Sequence, residues 1–400
     1  MRYLGIDLAR SVAVFCVVLG HAMMAAKVQD GGTALQVLRL FTSVSAPVFY
    51  CLFGCMLQLV YTRQYAAGAR TETSLRLLTR ALQCWILYCI TCAAFCLSAG
   101  LTFPYFIRCA LFLGETPLTD ILKFYAALLF FAPLLVSLSA RIGLWPLVLL
   151  CLIIQAAYPL ISHIPPMHGY PGAEALSAFV YGGQYVGHTG PSVLHGLSFV
   201  AFGMVLGRVW QSRPGQEFLL SGPGWGMRGV FVLMVAVTIA WVIIGKHNLL
   251  DPAVRVTLIN QNHPLFLLFG CTATIAFIDI FTAIRRMAGI DETSIWMVFG
   301  RTSLFTFCYG SVILYAVWLT EPAAAPDPAR AIWSTLAVML LSLGYAAFRD
   351  GPVKRINHPL MRAYRWLVDE SARDFVRFLI QTILERGDRG MDKGLRHHPN

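Results

Sequence analysis

Three ionisable residues lie at helical spacing in the first apolar segment of the chain: Asp7, Arg10 and His21. In a helix each residue is rotated by about 100° around the axis from the one before it. Asp7 comes three residues before Arg10, and His21 comes eleven residues after Arg10, which brings it to within about 20° of the direction of Arg10. A helix would therefore carry all three residues on one face. An imidazole can accept a proton near neutral pH, and a guanidinium can hold an anion. Since each ionisable group costs about 2.5–3.5 kcal/mol or more at the centre of a bilayer, we expect this face to point toward protein or a wet cavity.

The composition indicates a membrane protein. Of 400 residues, 57% are hydrophobic and 13% are charged, whereas soluble proteins average roughly 25% charged residues. We predict an all-α, polytopic integral membrane domain of about ten transmembrane helices over residues 1–348, followed by a basic tail over 349–400 with an interfacial amphipathic helix near 361–386. The apolar windows long enough to span a bilayer are 5–26, 37–60, 83–101, 119–140, 144–162, 191–210, 228–245, 264–284, 295–320 and 330–348.

The formal charge of +11 is explained by topology. Arginines concentrate in alternate loops, at 63–80, 208–228 and 285–286, and in the tail, which is the positive-inside pattern. An even number of helices then places both termini in the cytoplasm. The distribution favours this explanation over nucleic-acid binding, and we expect no nucleic-acid partner. No cleaved signal peptide is expected, because Asp7 and Arg10 interrupt the region that should be purely basic.

The cysteines predict packing rather than metal binding. Ten of the eleven cysteines lie in apolar runs, and Cys109 approaches a loop. No pair of them has the spacing of a zinc site, alone or with histidines, so we expect no metal.

Two predicted outward loops, 163–190 and 246–263, are rich in hydrogen-bonding residues, and the first also carries tyrosines. This composition suits a hydroxyl-rich ligand, although loops between helices are polar in any case. The candidate ligand contacts in these loops are His188, Lys246, His247 and Arg255.

The spacing of Arg10 and His21 inside the first of ten helices resembles the acyltransferase-3 superfamily of membrane acyltransferases. Leu75–Ala81 is similar to the basic loop of the OpgC-type branch, which succinylates periplasmic glucans. Lys246 to Leu249, followed by Arg255, is similar to the K-x-x-L…R stretch of that branch.

A late motif narrows the resemblance further. Gly300–Phe307 is similar to the G-R-x-S-L-x-V-F motif of the OpgC-type proteins. Gly310 stands where many other acyltransferase-3 proteins carry a histidine, which favours the OpgC-like branch.

The resemblance implies an O-acyltransferase of the bacterial inner membrane. It would move a succinyl or acetyl group from a cytoplasmic donor such as acyl-coenzyme A to a hydroxyl of a periplasmic or surface glycan, with no bound cofactor. On this hypothesis His21 is the general base and Arg10, fixed by Asp7, binds the anionic donor together with Arg301 and Ser303. The acceptor-binding residues would be Lys246, His247, Arg255 and His188.

Two other functions remain open. A transporter or flippase for a glycan or lipid-linked sugar would use the same polar face to line a translocation path, but no internal repeat is visible, which weighs against the transporter folds built from two halves. A sensor or structural membrane protein is the third possibility. In that case Asp7 and Arg10 would only orient the helix end, and His21 would be structural.

Overall fold

The computed structural model describes residues 3–28, 32–182, 190–212, 225–246, 248–320, 326–350 and 370–378, with single residues at 220, 359, 362, 363 and 366. The α-helices in chain order are α1 (Leu4–Ala25), α2 (Thr33–Ser43), α3 (Ser45–Met56), α4 (Arg63–Ala66), α5 (Arg70–Ser98), α6 (Phe103–Ala110), α7 (Asp120–Ile142), α8 (Trp145–Ala156), α9 (Tyr158–Ile161), α10 (Ala173–Tyr181), α11 (Val193–Gln211), α12 (Trp225–Ile244), α13 (Pro252–Asn260), α14 (Pro264–Met287), α15 (Val298–Thr320) and α16 (Pro328–Asp350). A π-helical turn, Leu57–Thr62, joins α3 to α4, and a short 3₁₀ turn, Ile295–Met297, leads into α15.

Nine helical stretches are long and apolar enough to cross a membrane, counted over the described residues. No strand occurs in the same part of the chain. The predicted all-α, polytopic membrane fold is therefore confirmed. The nine stretches are Leu4–Ala25, Thr33–Ala66, Arg70–Ser98, Asp120–Ile142, Val193–Gln211, Gly226–Ile244, Pro264–Met287, Ile295–Val317 and Pro328–Ala347.

The remaining predicted crossing, 144–162, is made by the shorter helices α8 and α9. The start of α11 lies beside the start of α7, because a Cβ added at Gly190 would be 3.3 Å from the Cβ of Asp120. Since α7 runs away from that end of the bundle, the chain must return before α11 begins. Residues 145–161 provide about 25 Å of helix for this return. The nine long stretches and this shorter segment correspond to the ten predicted windows, and the crossing of a membrane by the shorter segment stays a prediction.

Helix α1 lies at the centre of the bundle, where it packs against α3, α14, α15 and α16. Small residues make this possible: Ala9 and Ala13 are fully buried, and the hydrogen of Gly5 faces the side chain of Thr282 on α14. Close approach through small residues is the usual way that membrane helices gain packing energy. Helix α1 is therefore surrounded by other helices of the bundle.

Helices α3 and α11 touch through their backbones. A Cβ at Gly54 would collide with the carbonyl of Val200, and one at Gly203 would collide with the carbonyl of Cys51. The cysteines serve this kind of packing: all eleven are described, all are free thiols, and ten are buried. Cys109, expected near a loop, is fully buried on α6.

The expectation that the arginine-rich segments are loops is wrong at most of these arginines, which lie on helices: Arg63 on α4, Arg208 on α11, Arg228 on α12, and Arg285 and Arg286 on α14. The basic segment containing Arg70, Arg76 and Arg80 belongs to the first turns of α5. Glu72 and Arg76 form an ion pair at i,i+4 spacing, and arginine and leucine are good helix formers. Helix α5 therefore extends well beyond the predicted window 83–101.

The tail is described only in part. Within 370–378, Ala372 and Val376 are buried at i,i+4 spacing, whereas Phe375 and Phe378 are exposed. The amphipathic helix over 361–386 and the separate tail stay predictions.

Candidate functional site

A cavity of about 280 Å³, here called the Arg10 cavity, opens between α1, α3, α5, α7 and α15. Three guanidinium groups reach it, from Arg10, Arg80 and Arg301. Ser303 contributes a hydroxyl, and most of the remaining lining is aromatic or aliphatic. A cavity lined by three cations and by mostly apolar side chains fits an amphiphilic anion, since guanidinium groups bind phosphate and carboxylate through paired hydrogen bonds.

The motif that begins at Gly300 brings Arg301 beside Arg10. The backbone N–H of Gly300 donates a 2.8 Å hydrogen bond to the Ser11 Oγ. A Cβ at Gly300 would lie 2.7 Å from the carbonyl oxygen of Asp7 and 2.8 Å from the Ser11 Oγ. Only glycine allows this approach of α15 to α1, so the absence of a side chain at Gly300 helps to determine where Arg301 lies.

Asp7 lies next to Arg10 and outside the cavity. Its Oδ1 lies 3.8 Å from the Arg10 Nη1, and the two side chains are 25% and 21% exposed. Asp7 does not line the Arg10 cavity. The predicted role of Asp7, holding the guanidinium in place, agrees with this position and stays a prediction.

A second cavity of about 370 Å³, here called the His21 cavity, lies toward the other end of α1. His21 is half-buried there, and no described residue forms a hydrogen bond with its ring. An imidazole without a protein partner is free to accept a proton from a ligand. The charged residues that line the cavity with His21 are Arg39 on α2, Asp120 on α7 and Arg255 on α13.

Arg255 is the most buried of these charges, at 7% exposure. Its Nη1 donates to the carbonyls of Leu249 (2.5 Å) and Leu250 (3.0 Å). Burial and the nearby Arg39 guanidinium hold the pKa of Arg255 below its usual range, while Asp251 acts in the opposite direction. Arginine side chains are effectively always protonated in proteins, so Arg255 supplies a positive charge to the cavity.

The two cavities meet at a single residue that lines both, Ile121 on α7. The neighbouring wall comes from α3, where Phe49 faces the Arg10 cavity and Tyr50 faces the His21 cavity. The two cavities are therefore neighbours along α7. This geometry suits a reaction between two molecules that arrive from opposite ends.

The structure brings some of the predicted residues together and not others. Arg10, Arg301 and Ser303 share one cavity, and His21 and Arg255 share the other. Lys246 is exposed at the end of α12 and lines neither cavity. His188 and His247 lie outside the described residues, so their roles stay predictions.

Sequence reasoning missed Arg39 and Asp120. A signal was available, because both are charged residues within or next to predicted membrane windows, where such residues usually mark a function. Among the described residues, no group of three His, Cys, Asp or Glu side chains could hold a metal ion.

The apolar helices define a multi-pass membrane protein, and two neighbouring cavities lie inside its helical bundle. A family model described as an acyltransferase domain, that of the acyltransferase-3 family, matches residues 3–347. The chain belongs to this family of membrane acyltransferases. No curated protein and no solved structure matched the chain.

Proposed function

We propose that this protein is an inner-membrane O-acyltransferase of the OpgC-like branch. It moves a succinyl or acetyl group from cytoplasmic acyl-coenzyme A to a hydroxyl of a periplasmic or surface glycan. The observation that carries this proposal is the pair of cavities, one with Arg10 and one with His21, that meet at Ile121.

The Arg10 cavity supports the donor assignment. Coenzyme A is a phosphate-bearing carrier, and Arg10, Arg80 and Arg301 supply three cations for its anionic groups. The apolar remainder of the lining can hold the uncharged arm that leads to the thioester. The positive-inside pattern puts this end of the bundle at the cytoplasm, where acyl-coenzyme A is available.

The His21 cavity supports the acceptor assignment. His21 removes the proton of a glycan hydroxyl while the hydroxyl oxygen attacks the thioester carbonyl carbon. The new C–O bond forms as the C–S bond breaks, and the proton taken by His21 goes to the leaving thiolate. Tyr50, Asn260 and Arg255 provide hydrogen-bonding groups for the sugar around this point.

Mass spectrometry of periplasmic and surface glycans, with and without the protein, tests the proposal. We expect acyl groups on a defined glycan in cells that express the protein, and their loss when the gene is deleted. A deletion that lowers the amount of a glycan outside the membrane without changing its acylation would favour a transporter or flippase instead.

A further inference from the structure

We propose that the His21 cavity binds an anionic group of its ligand, a carboxylate or a phosphate, at Arg255 and Arg39. The proposal rests on the proposed function only in placing acyl transfer at His21. It adds that one of the two partners reacting there carries a negative charge close to the reacting hydroxyl.

The first observation is the hydrogen bonding of Arg255. An arginine has five N–H donors, and the described residues accept bonds only from its Nη1, through the carbonyls of Leu249 and Leu250. The Nε and Nη2 donors have no acceptor in the described part of the chain, although the side chain is only 7% exposed. They are not sealed in the protein interior, and Arg255 lines the His21 cavity. These donors therefore remain available to a ligand in that cavity.

The second observation is the positive charge at the cavity. Arg39 and Arg255 line the same cavity and repel each other electrostatically. Two guanidinium groups beside mostly apolar walls attract an anion.

The third observation is the position of α13. Arg255, Ile259 and Asn260 all line the cavity, so one face of this short helix covers it. A guanidinium held rigidly by two backbone carbonyls presents its free edge in a defined direction. This is the arrangement that selects a planar or tetrahedral oxyanion through paired hydrogen bonds.

The anion can belong to either reactant. It is a phosphate or carboxylate on the glycan, or the free carboxylate at the far end of a dicarboxylic acyl group. Both would pair with Arg255 in the same way, so the experiment has to separate the two carriers.

A binding experiment tests the site without any acyl transfer. Thermal unfolding midpoints are measured for the purified full-length protein in sodium phosphate, sodium succinate and sodium chloride at equal ionic strength. We expect phosphate or succinate to raise the midpoint of the wild type, and to raise it clearly less in Arg255→Gln. Arg255→Lys keeps the charge and a donor for the two carbonyls, so it should retain a larger part of the shift.

The matched control is Arg108→Gln, which removes an arginine that packs on Tyr105 and lines neither cavity. Equal shifts in wild type and Arg255→Gln would overturn the proposal, whether or not the protein proves to be an acyltransferase.

A transfer assay identifies the carrier. Wild type and Arg255→Gln are supplied with succinyl- or acetyl-coenzyme A and with glycan extract separated by ion exchange into neutral and anionic fractions. If Arg255→Gln lowers the transfer rate to the anionic fraction at least about tenfold with both donors, the anion lies on the glycan. A similar loss with succinyl-coenzyme A alone, on either fraction, places it on the acyl group. An equal loss in all four combinations, including the neutral glycans with the acetyl donor, would contradict the proposal. Absence of transfer by the wild type would refute the proposed function and leave the unfolding experiment to decide on the anion.

Discussion

The Ser11 hydroxyl oxygen accepts a 2.8 Å hydrogen bond from the backbone N–H of Gly300, a residue 289 positions later in the chain. The same hydroxyl donates to the carbonyl of Asp7 at 3.0 Å. One serine thus connects the helix that carries Arg10 to the helix that carries Arg301. The close contact of α1 and α15 explains why glycine and arginine are neighbours in the late motif: the glycine allows the approach, and the arginine then reaches the cavity.

Gly300→Ala should lower both the stability of the protein and the affinity of its donor site for coenzyme A. The added methyl group would lie within 3 Å of the Asp7 carbonyl and the Ser11 hydroxyl, so α15 must move away from α1. Overpacking of this kind costs about 1–3 kcal/mol, and Arg301 would shift with the helix. Thermal unfolding and coenzyme A binding measure the two effects. Gly344→Ala on α16 is the control, since its Cβ would meet no atom within 4 Å; similar losses in both variants would refute this explanation of Gly300.

Arg10→Lys should lower the affinity for coenzyme A at least about tenfold. Lysine keeps the positive charge but lacks the planar pair of donors that a phosphate accepts. Coenzyme A binding to purified wild type and variant measures the change, with Arg286→Lys, an exposed arginine outside the Arg10 cavity, as the matched control. Equal affinity of wild type and Arg10→Lys would give Arg10 a structural role and leave the donor site unassigned.

His21→Ala should abolish glycan acylation while expression and membrane insertion persist. Loss of a general base typically costs about 10²–10⁴-fold in rate, and the cavity leaves room for the smaller side chain. Mass spectrometry of the glycans provides the measurement. His163→Ala, which changes an exposed histidine bonded to the carbonyl of Pro159, should leave acylation unchanged. Normal acylation in His21→Ala would exclude the imidazole from the chemistry.

Ile121→Trp should separate donor binding from transfer. Ile121 is the residue shared by the two cavities, so a larger side chain there would lengthen the path between thioester and hydroxyl. We expect the rate of acyl transfer to fall at least about tenfold, because a misplacement of the reacting groups by about 1 Å can lower a rate about 10²-fold. The affinity for coenzyme A should stay within about twofold of the wild-type value. Leu134→Trp on the same helix is the control, because Leu134 is 64% exposed on the outside of the bundle. Unchanged transfer in Ile121→Trp would mean that the acyl group does not pass this residue.

Reporter fusions should locate both termini in the cytoplasm. The arginine-rich segments assign that side, and ten passages return the chain to it. A fusion after Gln211 and one at the C-terminus should report the cytoplasm, and a fusion after Gly187 should report the periplasm. Fusions that require an odd number of passages would show that the α8 and α9 segment does not cross the membrane.

The sequence alone determined the long helices and the shared face of Arg10 and His21. Both follow from local rules. About 20 apolar residues must form a helix in lipid, because every backbone polar group needs a partner within the segment. The spacing of two residues along a helix also determines the angle between their side chains around the helix axis. The predicted windows for α1, α7, α11, α14 and α15 agree with the structure to within a few residues. The start of α5 was missed because apolar content marks the membrane-embedded part of a helix, and α5 continues beyond it through charged residues.

Only the tertiary structure decided which side chains meet. Arg39, Asp120 and Arg255 lie on three different helices and line the same cavity as His21. Ile121 became the residue shared by the two cavities through the packing of α7 against α5, α11 and α15. No local pattern contains these contacts, since lipid does not drive particular membrane helices together. Association depends instead on the fit of surfaces, such as Gly300 against Ser11. The sequence could therefore place Arg10 and His21 on one helix face, but only the packing around α1 could give each of them a cavity of its own.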